Sequence, residues 1–220
     1  MSTIAALLLP FALLQSAETV EANRYEQCLT QIEADAERAY EDGMAWAAEG
    51  QSLNAYRCAA LALIRMERYH EGARRLESLA RSISSANKGL QADLFSQAGN
   101  AWLLAREPGN ARSVFTQAIS AVQGEPEQLP DLLIDRARAY AMEEDWRHAE
   151  EDLSRALDLR ADDPMALRLR AAARMHQRVF QLAEADALAA TRLEPENVDN
   201  FLVLGHVRES IRTGAPVEEQ

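Results

Sequence analysis

The sequence is short of basic side chains and contains a single lysine, Lys88. Lysine and arginine together number 23 against 35 aspartates and glutamates, which gives a formal net charge of −12. Nucleic acids and anionic lipid surfaces are bound mainly through positive charge. The composition therefore argues against a protein that binds nucleic acid or an anionic lipid surface.

Aromatic residues are also scarce, at 6% of the chain, although hydrophobic residues reach 48% and alanine dominates them. Alanine favours helices and allows them to approach closely, so the composition predicts an all-α protein. The acidic runs Glu143-Glu144-Asp145 and Glu150-Glu151-Asp152 are interpreted as a solvated face.

Recognisable catalytic motifs are missing. The sequence has no nucleophile elbow, glycine-rich phosphate loop, His-Glu-x-x-His or Cys-x-x-Cys. Of the four histidines, His70 and His148 have charged neighbours and are interpreted as solvated, whereas His176 and His206 lie on successive predicted helices. We therefore predict a protein that is not an enzyme and needs no cofactor or metal. A hydrolase or metalloprotein that uses His176 and His206 is the competing hypothesis from another class.

Charge is absent from Met1 to Ala17, where Ile4–Leu14 is an apolar run interrupted only by Pro10. A run of this length is too short to span a bilayer as a helix, which needs about 20 residues. Its length suits the apolar region of a signal peptide, with Ser16-Ala17 before the cut, although no lysine or arginine precedes it. The segment predicts export to the bacterial periplasm or secretion. The alternative is a cytosolic adaptor that retains this segment.

The strongest pattern is an internal repeat. The segment that begins at Pro130 recurs at Pro164, an offset of 34 residues, and the offset persists between Trp146 and Phe180. Further pairs at the same offset are Ala149 and Ala183, Leu153 and Ala187, Ala156 and Ala190, and Pro164 and Val198. Small and apolar residues at one fixed offset indicate stacked helical repeats.

Weaker copies of the repeat surround these two. Helix pairs are predicted over Asn54–Arg65 with Tyr69–Arg81, and over Ala92–Leu104 with Gly109–Val122. A last helix, Val198–Ile211, repeats the first half only. A small residue recurs at one position of each first helix, where it lets the two helices of a hairpin cross closely: Ala60, Gly99, Ala137, Ala171 and Gly205.

From about Ser52 to Ile211 the chain resembles the tetratricopeptide repeat (TPR) family, which has this period. The resemblance implies an all-α, right-handed superhelix of antiparallel helix hairpins with a C-terminal capping helix. The predicted organisation is a signal peptide at 1–17, a degenerate repeat or cap hairpin at 18–51, a TPR array with its capping helix at 52–212, and a disordered tail at 213–220.

The two cysteines, Cys28 and Cys58, are 30 residues apart. The resemblance places them on the first helices of successive hairpins, which are neighbours in a TPR stack. We therefore predict a disulfide bond between them, which requires an oxidising compartment. The alternative is a pair of small buried thiols.

The resemblance also implies a binding groove, because the first helix of each repeat supplies the inner surface in TPR proteins. The residues expected to bind a protein or peptide partner there are Arg57, Arg65, Asn100, Arg138, Arg168, His176 and His206. Most of the charges in this set are positive, which favours an acidic partner held by arginine. Alternatively, these arginines provide solubility and pair with carboxylates one turn away. The function predicted is that of a non-enzymatic interaction scaffold.

Overall fold

The structure is a computed structural model that describes residues 9–50, 52–84, 86–122 and 127–217, with side chains from Thr19 onward. Every regular element in these ranges is an α-helix, as the sequence predicts. The helices are α1 Leu9–Ala34, α2 Ala36–Gly50, α3 Leu53–Arg65, α4 Tyr69–Ser82, α5 Lys88–Leu104, α6 Pro108–Ala121, α7 Leu129–Met142, α8 Trp146–Leu159, α9 Pro164–His176, α10 Phe180–Leu193 and α11 Val198–Thr213.

The chain divides into two compact units, Met1–Ser82 and Ile83–Gln220. The first unit contains the helix pairs α1/α2 and α3/α4. The second contains the pairs α5/α6, α7/α8 and α9/α10, followed by α11. In the second unit each helix packs against the helix that follows it, and the first helices of consecutive pairs also contact one another. The second unit is therefore a stack of antiparallel helix pairs.

One turn geometry joins the two helices of four pairs. In the α9/α10 turn, Arg178 has a positive φ of 63°, its N–H donates to the carbonyl of Met175, and the N–H of Val179 donates to the carbonyl of Arg174. The same two bonds and a left-handed residue recur in the other three turns, at Glu67, Arg106 and Glu144. This is a Schellman-type helix end. Its recurrence shows that the repeat extends to the backbone of the turns.

Close crossing of the two helices occurs where the sequence predicts it. A Cβ atom built on Gly99 in α5 would lie 2.5 Å from ring atom Cε1 of Phe115 in α6. Phe115 is fully buried, and Ala137 and Ala171 are buried at the equivalent positions of α7 and α9. Only a small residue at this position lets the second helix pack so closely.

Two arginine–aspartate ion pairs lie inside the second unit at equivalent positions of successive repeats. They were not predicted. Arg136 in α7 donates from Nε and Nη2 to both oxygens of Asp152 in α8, at 2.7 and 2.8 Å. Arg170 in α9 makes the same paired contact with Asp186 in α10, at 2.8 and 2.9 Å. The interpretation of 150–152 as a solvated run is therefore wrong for Asp152, whose side chain is only 5% exposed. A nearby arginine compensates for its burial.

The first unit brings the two cysteines together. Cys28 in α1 and Cys58 in α3 have Cα atoms 6.1 Å apart with their sulfur atoms in contact, a spacing that suits a disulfide bond. Helix α1, which carries Cys28, begins at Leu9. The predicted signal peptide at 1–17 lies outside the residues whose side chains are described.

The predicted disordered tail begins at residue 213, and the described part of the chain continues to residue 217. Helix α11 continues to Thr213 and ends at Gly214, whose φ is 74°. The N–H of Val217 then donates to Oγ of the buried Ser210 at 3.1 Å. Residues 218–220 lie outside the described chain.

Candidate functional site

The first helices of the second unit, α5, α7, α9 and α11, lie side by side. We call the side chains that they expose together the first-helix surface. Five of the seven predicted groove residues lie on these helices: Asn100, Arg138, Arg168, His176 and His206. Arg57 and Arg65 lie on α3 in the first unit, so the predicted set is divided between the two units.

Three polar side chains meet between α5 and α7. Nδ2 of Asn100 donates to Oδ2 of Asp135 at 3.0 Å. Nη1 of Arg138 donates to Oδ1 of Asp135 at 3.0 Å and to Oδ1 of Asn100 at 3.1 Å. We call Asn100, Asp135 and Arg138 the α5–α7 cluster. It orients an arginine whose side chain remains 43% exposed.

Asp135 is the least expected member of this cluster. Burial raises the pKa of its carboxyl group, although the hydrogen bond from Asn100 and the charge of Arg138 act in the opposite direction. The raised pKa means that ionisation of Asp135 lowers the free energy of unfolding. Groups with such shifts are concentrated at functional sites, although structural charge networks show them too.

Arg168 is more enclosed than the groove hypothesis expects, since its side chain is only 15% exposed. Its Nη1 donates to Oδ1 of Asn200 at 3.3 Å and lies 3.5 Å from Oδ2 of Asp199. Asn200 is fully buried, and its Nδ2 donates to the carbonyl of Ala190 at 3.1 Å. Arg168 therefore connects α9 to α11, and its charge is partly neutralised.

The two histidines of the predicted groove have different surroundings. His176, the last residue of α9, stacks on Trp146 at the start of α8, with ring centroids 4.0 Å apart and planes 7° from parallel. His206 lies in the middle of α11 and is half-buried. Within the residues that the structure describes, no group of three or more histidine, cysteine, aspartate or glutamate side chains could hold a metal ion.

Arg57 and Arg65 in the first unit also have partners. The guanidinium of Arg57 lies over the ring of Tyr25, 5.3 Å from its centroid. Arg65 lies 3.7 Å from a carboxylate oxygen of Glu33, and both side chains are exposed. Both contacts lie within the first unit, between α1 and α3.

An acidic cleft adjoins the α5–α7 cluster and was missed by sequence reasoning. It has a volume of about 450 Å³, and Asp135 lines it together with the apolar side chains of Ile134 and Met165. The remaining lining residues are Asp131, Arg160, Asp162, Asp163, Pro164 and Glu194. Its only base, Arg160, is paired with Asp131 and Asp163. The cleft is therefore negatively charged, contrary to the predominance of positive charge expected for the groove.

Paired helices, one recurring turn and a 34-residue offset together define the second unit as a stacked helical-repeat structure. The particular fold is TPR-like, as comparison with solved structures shows. No protein-family model matches the sequence, and a comparison with curated proteins gives no match. None of the described helices is both long enough and apolar enough to cross a bilayer.

Three solved structures illustrate the likeness. YrrB, described as a TPR protein with an unusual peptide-binding site, matches with a TM-score of 0.59 and 19% identity over 79% of this chain and 85% of its own. The first TPR of Spaghetti (RPAP3), bound to the HSP90 peptide SRMEEVD, gives 0.52 and 23% over 56% of this chain and 95% of its own. The Sgt2 TPR domain from Aspergillus fumigatus gives 0.52 and 20% over 59% and 88%.

Proposed function

We propose that the protein is a non-enzymatic interaction scaffold that binds a segment of a protein partner on the first-helix surface of its second unit. The α5–α7 cluster is the observation that carries this proposal. Nη1 of Arg138 makes both contacts within the cluster. Among the described residues, Nε and Nη2 of Arg138 have no acceptor, so a carboxylate of the partner can pair with them.

The acidic cleft makes the proposal more specific. It shares Asp135 with the α5–α7 cluster, so a peptide that places a carboxylate on Arg138 brings its neighbouring residues over the cleft. A lysine or arginine of the peptide would complement the cleft, and Met165, which is 47% exposed, offers apolar contact beside it. The partner segment therefore carries both a carboxylate and a basic residue. The peptide in the Spaghetti complex, SRMEEVD, contains both kinds of side chain.

The test begins with affinity capture on the intact protein, identification of the captured chain and synthesis of the segment that binds. Titration calorimetry then compares the wild type with Arg138→Glu. We expect affinity to fall about tenfold or more, because the variant places like charges at the proposed contact. Arg147→Glu is the matched control, since Arg147 lies on the second helix α8 and is 67% exposed. Equal losses in the two variants would refute this assignment of the site.

We also propose that the protein is exported and that Cys28 and Cys58 form a disulfide bond in the periplasm or outside the cell. Their 6.1 Å Cα separation supports the bond. The alternative is a cytosolic adaptor with an intact N-terminal segment and two thiols. Sequencing the N-terminus of the native protein and counting its thiols by alkylation and mass spectrometry distinguish the two. A start near Glu18 with no free thiol supports export.

A hydrolase or metalloprotein centred on His176 and His206 is the remaining hypothesis. The stacking of His176 on Trp146 gives its imidazole a structural role at the α8/α9 contact, which disfavours that hypothesis. Metal analysis of the purified protein tests it directly. A stoichiometric metal ion that is lost in His206→Ala would overturn the assignment as a scaffold.

A further inference from the structure

Helix α11 exposes a side that is covered on the other first helices of the second unit. Phe201 is 51% exposed, whereas Phe95, Leu133 and Leu167, at the same repeat position, are 4%, 0% and 7% exposed. In the α5/α6 pair the second helix packs against this side, because the Cβ position of Gly99, four residues after Phe95, meets the Phe115 ring of α6. In the part of the chain that the structure describes, no second helix follows α11.

The uncovered side combines large apolar residues with an open glycine. Gly205 follows Phe201 by four residues and so lies on the same side of the helix. A Cβ atom built on Gly205 meets no atom within 4 Å. Val198 and Leu202, which are 67% and 54% exposed, extend the apolar area. We call Val198, Phe201, Leu202 and Gly205 the α11 face.

We propose that the α11 face binds the α11 face of a second copy of this chain, with the two helices antiparallel. The twofold axis would lie between the two α11 helices, level with the midpoint between Phe201 and Gly205. It places Phe201 of each copy on Gly205 of the other copy. The α5/α6 pair already contains this contact, since the Phe115 ring lies directly over Gly99. The α11 face is therefore complementary to itself, because it carries both the ring and the glycine on which a ring can pack.

Exposed charges select the antiparallel direction. Arg208 and Arg212, whose side chains are 57% and 73% exposed, lie towards the C-terminal end of α11. Glu194 and Glu196 are exposed just before its N-terminal end. Antiparallel helices place the arginines of one copy beside the glutamates of the other, and parallel helices would place like charges together. Both arginines also pair with glutamates of their own chain, so the apolar contact provides most of the affinity.

The experiment uses Gly205→Ala, which has opposite effects on the single chain and on the pair. In the single chain the added Cβ atom meets nothing, and alanine favours the helix. In the pair it collides with the Phe201 ring of the other copy, so we expect association to weaken by about tenfold or more. Gly50→Ala is the matched control, because Gly50 is also an open helical glycine but lies in the first unit.

Sedimentation equilibrium of the full chain across micromolar to submillimolar concentrations measures the association. A wild-type dimer that Gly205→Ala and Phe201→Ala both dissociate, with unchanged helix content by circular dichroism, supports the proposal. Phe201→Ala keeps the single chain folded because Phe201 is exposed there. A wild type that stays monomeric, including one whose α11 face binds a helix of another protein instead, overturns it. A dimer that neither variant weakens also overturns it. These results do not depend on the proposed peptide site.

Discussion

The contact between Gly99 and Phe115 gives the sharpest test of how the helix pairs are built. In Gly99→Ala, the new Cβ atom would lie 2.5, 2.6 and 2.8 Å from three ring carbons of Phe115. Carbon atoms in contact prefer separations of about 3.5 to 4 Å, so the overlap approaches 1 Å. Phe115 is fully buried, so its ring is enclosed by other protein atoms. The α5 and α6 helices must therefore separate, or the ring must leave its preferred rotamer.

Two opposing terms set the magnitude of this effect. Overpacking of a core costs about 1 to 3 kcal/mol. Replacing a helical glycine with alanine returns about 0.5 to 1 kcal/mol. The overlap involves ring carbons rather than a flexible chain end, so we expect a net loss of about 1.5 kcal/mol in the free energy of unfolding. In a chain of this size the corresponding fall in Tm is about 3 to 6 °C.

Urea unfolding followed by circular dichroism measures this loss. Gly50→Ala is the control and should show no loss of stability and a gain of at most about 1 kcal/mol, because nothing lies within 4 Å of its Cβ atom. Phe115→Leu in the Gly99→Ala background removes the ring atoms that collide. The double variant should then be more stable than the sum of the single changes predicts, by about 1 kcal/mol. A Gly99→Ala protein as stable as the wild type, or additive single changes, would refute the close-packing argument.

Three further predictions concern charge and backbone in the second unit. Asp186→Ala should lower the free energy of unfolding by about 3 kcal/mol, since it leaves the enclosed Arg170 without its carboxylate. Glu209→Ala, which removes an exposed pair, should have no measurable effect in the same urea titration. Asp135→Asn should stabilise the protein at pH 7, because burial raises the pKa of Asp135 and its ionised form opposes folding. That gain should disappear below about pH 3.9, where the carboxyl group of Asp135 is protonated in both the folded and the unfolded protein. A lower free energy of unfolding at pH 7 would contradict the prediction, because it would show that attraction to the charge of Arg138 outweighs the burial of Asp135. Arg178→Gly should raise the free energy of unfolding by up to about 1 kcal/mol by relieving the left-handed φ of 63°, and no change in the urea midpoint would contradict this.

The fold could be predicted because the information that specifies it repeats. Small residues at one position, such as Ala137 and Ala171, recur at a fixed offset and mark where helices cross. Proline near the start of α7 and α9 marks where helices begin. The turns were less visible, because arginine and glutamate occupy left-handed positions where glycine or asparagine is the usual signal. Backbone hydrogen bonds, rather than residue type, identify these turns.

The candidate site could be predicted only in part. The repeat register places Asn100 and Arg138 on first helices, and the structure brings them together. Asp135 was missed because an aspartate three residues before an arginine on a helix has the appearance of a routine surface pair. Its burial depends on α5, which is distant in sequence. The fully buried Asn200 was missed because its burial depends on another helix, since the carbonyl group that it binds belongs to Ala190 in α10.

The arginines of the second unit now separate into two groups that the sequence alone does not distinguish. Arg136 and Arg170 each give Nε and Nη2 to both oxygens of one buried aspartate, and their side chains are only 14% and 17% exposed. This paired geometry occupies the edge of the guanidinium group, with the Nε and Nη2 donors, that a carboxylate ligand would need. Arg138 gives only Nη1 to its neighbours and stays 43% exposed. A substitution that damages binding more than folding is therefore expected at Arg138, and the reverse is expected at Arg136 and Arg170.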